Sequence, residues 1–294
     1  MKGVYVFKQN SRVIGTTNNL ITTEGKRIVQ RYLAGQVKNI AEVIAIGVGS
    51  TPATISDTNL GFEFDRAGID LISPDLVAGT LVFRATFSQL SSGLISEIGT
   101  YSLADSSSPY SSKLILKFDS STEAWTGGAF ALDNNRIGGD LYRLSPAVSA
   151  TATATLANVG LDFTGYSNSD KISLAYFVTN AFTSSITLRL KVDSSNYFQY
   201  VINTPAAGYK INTFYKSDFS LVGIPTWGNI LSVDVLATST AGGAAIIDLD
   251  GFRVDDSDYS NPNYVLVSHS VLTSPIQKLN TAPLEIEYSL VVSV

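Results

Sequence analysis

SITLRLKVDSSNYFQYVIN, residues 185–203, places apolar residues at alternate positions in two arms separated by an Asp-Ser-Ser-Asn break. A period of two is the mark of strands that bury one face. Similar segments recur at ATATL (152–156), KISLAYFVTN (171–180), YKINTFYKSDF (209–219), NILSVDVLATS (229–239) and AAIIDLDGFRV (244–254), each bounded by Gly, Asn, Ser or Pro. Short strands in this number and spacing predict a β-sandwich of jelly-roll type.

Outward from this stretch the pattern changes owner. SSKLILKF (111–118) closes a strand-rich region before it, and NYVLVSHSVL (263–272) resumes the same alternation after it. The middle therefore reads as an inserted domain over 119–258, and the flanks 1–118 and 259–294 as one discontinuous α+β domain with an antiparallel sheet and a single helix. A chain of 294 residues is long enough for two cores.

In the flanks, VYVFKQNSRVIG (4–15) reads as a hairpin turning at Gln-Asn-Ser. Thr23, Glu24 and Gly25 open the segment KRIVQRYLAG, where Ile28, Tyr32 and Leu33 recur at helical spacing and Gly35 ends the run. GFEFDRAGIDLIS (61–73), TLVFRATFSQL (80–90) and GLISEIGTYSLAD (93–105) read as antiparallel strands. In the closing strand Glu285 and Glu287 alternate with Leu284, Ile286 and Tyr288, as burial of one side requires.

Composition excludes several classes of function. Hydrophobic residues make up 45% of the chain, charged residues 15%, and mean hydropathy is +0.18, so the chain is globular rather than disordered. Zero cysteines exclude disulfides, thiolate catalysis and Cys-ligated zinc. A net charge of -5 with no Lys/Arg cluster argues against a nucleic-acid partner. No apolar run nears the ~20 residues of a membrane span, and residues 1–15 lack the parts of a signal peptide, so neither leader nor membrane insertion is expected.

The flanking blocks NLITTEGKRIVQRYLAG (19–35), AIGVGSTPATISDTNLGFEFDRAGI (45–69), SGLISEIGTYS (92–102) and residues 265–294 resemble a family of tailed-bacteriophage virion proteins, tail-fibre or baseplate-associated. The resemblance implies a structural component of the virion assembled in the host cytoplasm, in tail or baseplate rather than head. Its partners would be other virion proteins and copies of itself. The middle resembles carbohydrate-binding-module jelly rolls, through Trp125, Ser195-Asn196-Tyr197-Phe198, Lys216-Ser217-Asp218-Phe219 and Ile247-Asp248-Leu249-Asp250-Gly251-Phe252. That implies an exposed domain holding host-surface polysaccharide. In many such jelly rolls a structural calcium links the first and last strands, which implies Asp119 or Glu123 with Asp248 or Asp250 as ligands. The competing reading of these carboxylates is a solvated strand face.

Sugar rings offer apolar C–H faces to aromatic side chains, so Trp125, Tyr166, Tyr197, Tyr209, Tyr215 and Trp227 are the candidate glycan platforms. Each has a core role as its alternative, since half the side chains of a strand must face inward. No enzyme is expected. A Ser-His-Asp triad would need His269, the single histidine, but no Gly-x-Ser-x-Gly elbow accompanies it. Its apolar neighbours suit a hydrogen-bonded strand histidine, with an assembly contact as a further reading. A glycosidase needs two carboxylates facing across a cleft, and no local pair stands out. Gly47-Val48-Gly49-Ser50 lacks the rest of a phosphate loop, and DNNRIG (133–138) fails as a calcium loop because Ile137 occupies a ligand position. Lys26, Arg27 and Arg31 read as a solvated helix face; Asp65, Arg66, Arg84 and Glu97 read as a salt-bridged sheet surface or a subunit contact. Competing with the tail reading are a capsid or collar cement or decoration protein without a ligand, and a polysaccharide-degrading virion enzyme.

Overall fold

The computed structural model describes residues 2–75, 77–89, 92–103, 113–255 and 264–291. In chain order the first unit contains β1 (Lys2–Gln9), β2 (Arg12–Asn18), β3 (Leu20–Ile21), α1 (Thr23–Leu33), β4 (Val43–Gly47), β5 (Glu63–Asp75), β6 (Thr80–Phe87) and β7 (Gly93–Leu103). The second contains β8 (Lys113–Leu116), β9 (Ala129–Ala131), β10 (Leu141–Leu144), β11 (Thr151–Leu161), β12 (Lys171–Val178) and β13 (Thr183–Lys191). It continues through β14 (Tyr197–Asn203), β15 (Gly208–Tyr215), β16 (Ser220–Val222), β17 (Ile230–Ser239) and β18 (Ile247–Asp255), before β19 (Tyr264–Lys278) and β20 (Leu284–Val291) complete the first unit. The chain is mainly β, with antiparallel sheets and one α-helix among the described residues.

Alternation dictates the core of the first unit, the frame. Tyr5 and Phe7 on β1 and Leu284, Ile286, Tyr288 and Leu290 on β20 all point inward and are buried, while Lys8 pairs with Glu287 at 2.6 Å on the other side. These strands belong to a nine-stranded sheet ordered β2-β1-β20-β6-β5-β4-β7-β19-β3. Asn10 and Ser11 turn the first hairpin with φ of 51° and 62°, the left-handed pair a two-residue loop needs. Thr22 caps α1, its Oγ1 accepting the Gly25 N–H at 2.9 Å. Gly25 is there for proximity: a Cβ would stand 2.0 Å from the Val267 carbonyl oxygen of β19.

The second unit, the module, is a β-sandwich of jelly-roll type. One sheet runs β15-β12-β18-β10-β9, with β8 also on β18; the facing sheet runs β11-β17-β13-β14-β16. Ile172, Leu174, Tyr176 and Val178 of β12 meet Ile186, Leu188 and Leu190 of β13 and Val233, Val235 and Ala237 of β17 in one buried cluster. Each large apolar side chain so buried contributes about 1.5–3 kcal/mol.

Pairing corrects the sequence boundary at 118. The compact units are Met1–Tyr110 with Tyr259–Val294, and Ser111–Asp258. Lys113–Leu116, assigned above to the flanks, joins the module because β8 pairs with β18, Lys113 opposite Val254 and Leu116 opposite Phe252. The first and last strands of the module are thus antiparallel neighbours. In the frame, β7 and β19 are neighbours too, with Leu103 opposite Tyr264. The module therefore occupies the connection between two adjacent antiparallel strands, where a hairpin loop would otherwise stand.

Candidate functional site

Strand parity constructs the outer face of the five-stranded sheet. Because Ile186, Leu188 and Leu190 point inward, Thr187, Arg189 and Lys191 point outward; on β14 burial of Phe198 and Ile202 leaves Tyr197, Gln199 and Val201 outward. Register then aligns Thr155, Asp234, Arg189, Gln199 and Ser220 in one row across all five strands. The adjoining row contains Ser232, Lys191, Tyr197 and Val222.

This row is held by its own hydrogen bonds. Arg189 Nε donates to Gln199 Oε1 at 2.8 Å, and the guanidinium carbon lies 5.0 Å from the Tyr197 ring centroid. Asp234 accepts from Thr155 Oγ1 at 2.9 Å and from Lys191 Nζ at 2.9 Å. Arg189, Tyr197 and Gln199 are half-buried, with one side to solvent. The face combines an aromatic ring, a fixed guanidinium and an amide.

The six aromatics named from sequence do not form one platform. Trp125 is a core residue, 5% exposed, stacked on Phe118 with centroids 4.6 Å apart and donating from Nε1 to Glu123 Oε2 at 2.7 Å. A glycan platform there is ruled out by burial. Trp227 stacks on buried Phe198 at 3.6 Å and sets its edge against Phe163 and Phe219; Tyr166 leans on Phe163. Lys216 fixes that end of the sandwich, donating to the carbonyls of Phe163 at 2.8 Å and Tyr166 at 2.6 Å. Tyr209 and Tyr215 share the outer side of β15 in the other sheet. Of the six, Tyr197 alone stands in the two adjoining rows described above.

The outer side of the six-stranded sheet is laced by the segment 134–139. Arg136 and Ile137 donate backbone N–H groups to Asp250 at 3.0 and 3.2 Å, and Tyr209 Oη adds a third bond at 2.7 Å while the Arg136 guanidinium lies over its ring at 4.1 Å. Arg143 forks onto Asp248 through Nε at 2.6 Å and an amino nitrogen at 2.8 Å, and Asn134 adds 3.0 Å. Both aspartates are 0% exposed, so the solvated-face reading does not hold for them.

Nor do these carboxylates fit a calcium site. Asp119 accepts the N–H groups of Ser121 and Gly139, and Glu123 those of Lys117, Phe118 and the Trp125 indole. Calcium needs six to eight oxygens, whereas donors, not further oxygens, face these carboxylates. Among the described residues no three His, Cys, Asp or Glu side chains are grouped to hold a metal ion. Burial pushes the Glu123 carboxyl upward in pKa in spite of its three donors.

Glu97, expected on a sheet surface, is instead a buried hub of the frame. It is 1% exposed and accepts the N–H groups of Gly49 at 2.8 Å, Gly61 at 2.8 Å and Phe62 at 2.7 Å. Gly47 and Gly49 leave room for it: a Cβ on either would fall within 2.5 Å of its carboxylate oxygen. His269 joins this hub to Asp57, so both of its ring nitrogens face carboxylates and neither faces a nucleophile.

No protein-family model matches the chain, and no curated protein matches it. Among solved structures it is similar to the family 11 carbohydrate-binding module of the cellulosomal cellulase Lic26A-Cel5E of Clostridium thermocellum, at 12% identity over 53% of this chain and 95% of that one, TM-score 0.34. It is also similar to a family 16 carbohydrate-binding module, at 15% identity over 49% of this chain and 100% of that one, TM-score 0.32. A third similar structure, PfGH50B, is 8% identical over 47% of this chain, TM-score 0.34, and the match spans 23% of its length.

Proposed function

We propose that the module binds glycans through the outer face of its five-stranded sheet, and that the frame is a structural component of a tailed-phage virion, in tail, baseplate or fibre. The cluster of Tyr197, Arg189 and Gln199 carries the glycan half: a half-exposed ring suits a sugar C–H face, and fixed polar groups beside it suit hydroxyls and other oxygens. The reading is one of binding, not cleavage, because Asp234 is the one carboxylate on the strands of this face and is held by Thr155 and Lys191.

The virion half is supported by the resemblance of the flanking blocks and by the insertion itself. A module whose end strands pair, set between two paired frame strands, can be added without breaking the frame's sheet. Frame contacts with other virion proteins and with copies of the chain would repeat the module, and repetition raises avidity for host-surface polysaccharide. Two experiments test the proposal. Full-length protein clustered on a carrier should be retained on a glycan array; silence across host-type glycans removes the glycan half and leaves a spacer or decoration domain. A particle map should place the frame in tail, baseplate or fibre; density in the capsid shell moves it to the head, and no density removes the virion half.

A further inference from the structure

We infer that the glycan recognised on this face carries a carboxylate, as uronic and other acidic sugars do, with Arg189 as its receptor. This rests on the glycan reading above and specifies the class of sugar. The argument is an inventory of donors and acceptors. Arg189 spends Nε on Gln199, and its two terminal amino groups have no protein partner among the described residues. Since Gln199 Oε1 accepts from a guanidinium that can only donate, the free end of that amide is its NH2 group, again a donor. Asp234, the acidic acceptor of the face, has one oxygen taken by Thr155 and the other by Lys191. In the row of Asp234, Arg189 and Gln199 and the adjoining row of Lys191 and Tyr197, the charged and amide groups left for a ligand are therefore donors.

A neutral sugar hydroxyl both gives and takes a hydrogen bond, whereas a carboxylate only takes. Charge points the same way. Two cations, Arg189 and Lys191, stand against one carboxylate on the strands of this face, in a chain whose net charge is -5. On the outer side of the other sheet the charges pair off, Arg143 with Asp133 and Asp248 and Arg253 with Asp255. A planar guanidinium already fixed by Gln199 and packed near Tyr197 presents the fork that a carboxylate accepts in two parallel bonds.

The test uses the full chain clustered on a sensor surface and two probes, polygalacturonate and the same polymer with its carboxyls reduced to alcohols. Polygalacturonate should bind, and the reduced polymer at least about tenfold more weakly, the loss of one charge-assisted pair. R189Q should bring polygalacturonate down to the level of the reduced polymer, and Q199A should weaken it in the same direction should R189Q melt early. K26Q, which removes an exposed charge from the frame helix, should change nothing. Equal losses in R189Q and K26Q would mean unspecific attraction and overturn the inference. Retention of the reduced polymer or of neutral array glycans without polygalacturonate would overturn it while leaving the glycan reading standing; no retention of any glycan would end both.

Discussion

His269 Nδ1 lies 2.6 Å from Asp57 Oδ2, a contact between residues 212 apart in sequence, and Glu97 stands 3.3 Å from the other ring nitrogen. Burial lowers the imidazole pKa, but hydrogen bonds and charge from Glu97 and Asp57 outweigh it and the net shift is upward. Burial likewise opposes ionisation of Asp57, and bonds from Thr54 and His269 overcome it, so its pKa falls. The stability that His269 contributes is complete below its unfolded value of about 6.5 and is lost as pH rises through the raised folded value; that of Asp57 is present above about 3.9 and is lost as pH falls through the lowered one. Frame stability from this pair should be greatest at about pH 4–6.5 and decline as pH rises through the raised imidazole value. Denaturant melts across that range should show the decline in wild type and a flatter profile in H269Q; parallel profiles contradict the assignment.

Arg143 is the partner on which buried Asp248 depends. The side chain of Asp248 is 0% exposed and that of Arg143 25%. Removing one member of a buried pair leaves a charge without compensation, at about 3–5 kcal/mol; partial exposure of Arg143 puts R143A near the low end, roughly 3 kcal/mol. Urea melts of the module should record that loss, and D248N combined with R143A should recover part of it. An R143A melt equal to wild type contradicts the argument.

Asp250 shows the opposite balance. Burial outweighs its bonds from Tyr209, Ile137 and Arg136 and pushes the carboxyl up to about 7. With a folded value above the unfolded one, its contribution is complete below about pH 3.9 and is lost as pH rises through about 7. D250N removes the charge and should flatten the slope of module stability over that interval, while its NH2 group, turned toward one of the donors that bond to Asp250, lowers the midpoint at acid pH. A wild-type slope in D250N counts against this account.

The module boundary is testable by truncation. Residues 111–258 retain β8, Leu116 at 4% exposure and Phe118 at 0%; residues 119–258 lose all three. Loss of a buried Phe costs about 3–5 kcal/mol. The longer fragment should melt cooperatively and the shorter one should melt far earlier or remain unfolded. Equal midpoints would return Lys113–Leu116 to the frame.

The sandwich, the first hairpin and the helix were legible because each rests on local chemistry: alternation, turn residues and apolar helical spacing, although the capping threonine is Thr22, one residue before the Thr23 that opens the segment in the sequence reading. Parity also separates Leu188 and Leu190 from Arg189 and Lys191, so the outward row on β13 was within reach of the same alternation that identified the strand. What could not be read locally was set by distant pairing. Nothing in SSKLILKF says that β18 is its partner. Glu97 resembles any strand glutamate until Gly49, Gly61 and Phe62 close around it. Trp125 and Tyr197 are both aromatic residues near polar ones, yet one donates into a buried carboxylate and the other borders a guanidinium on an outer face. The surroundings of the acidic residues were hidden for a related reason, since Asp119, Glu123, Asp248 and Asp250 in sequence do not reveal that backbone N–H groups from 134–139 reach two of them, Asp119 and Asp250.

The central claim is that the five-stranded sheet, not the six-stranded one, presents the glycan face. Array retention of full-length Y197A and R189Q should be compared with Y209F and Y215A, each first checked for a wild-type melt. Loss of signal in the first two with retention in the second two is the expected result. Loss in Y209F and Y215A with retention in Y197A and R189Q, or wild-type protein that holds no glycan, would contradict it.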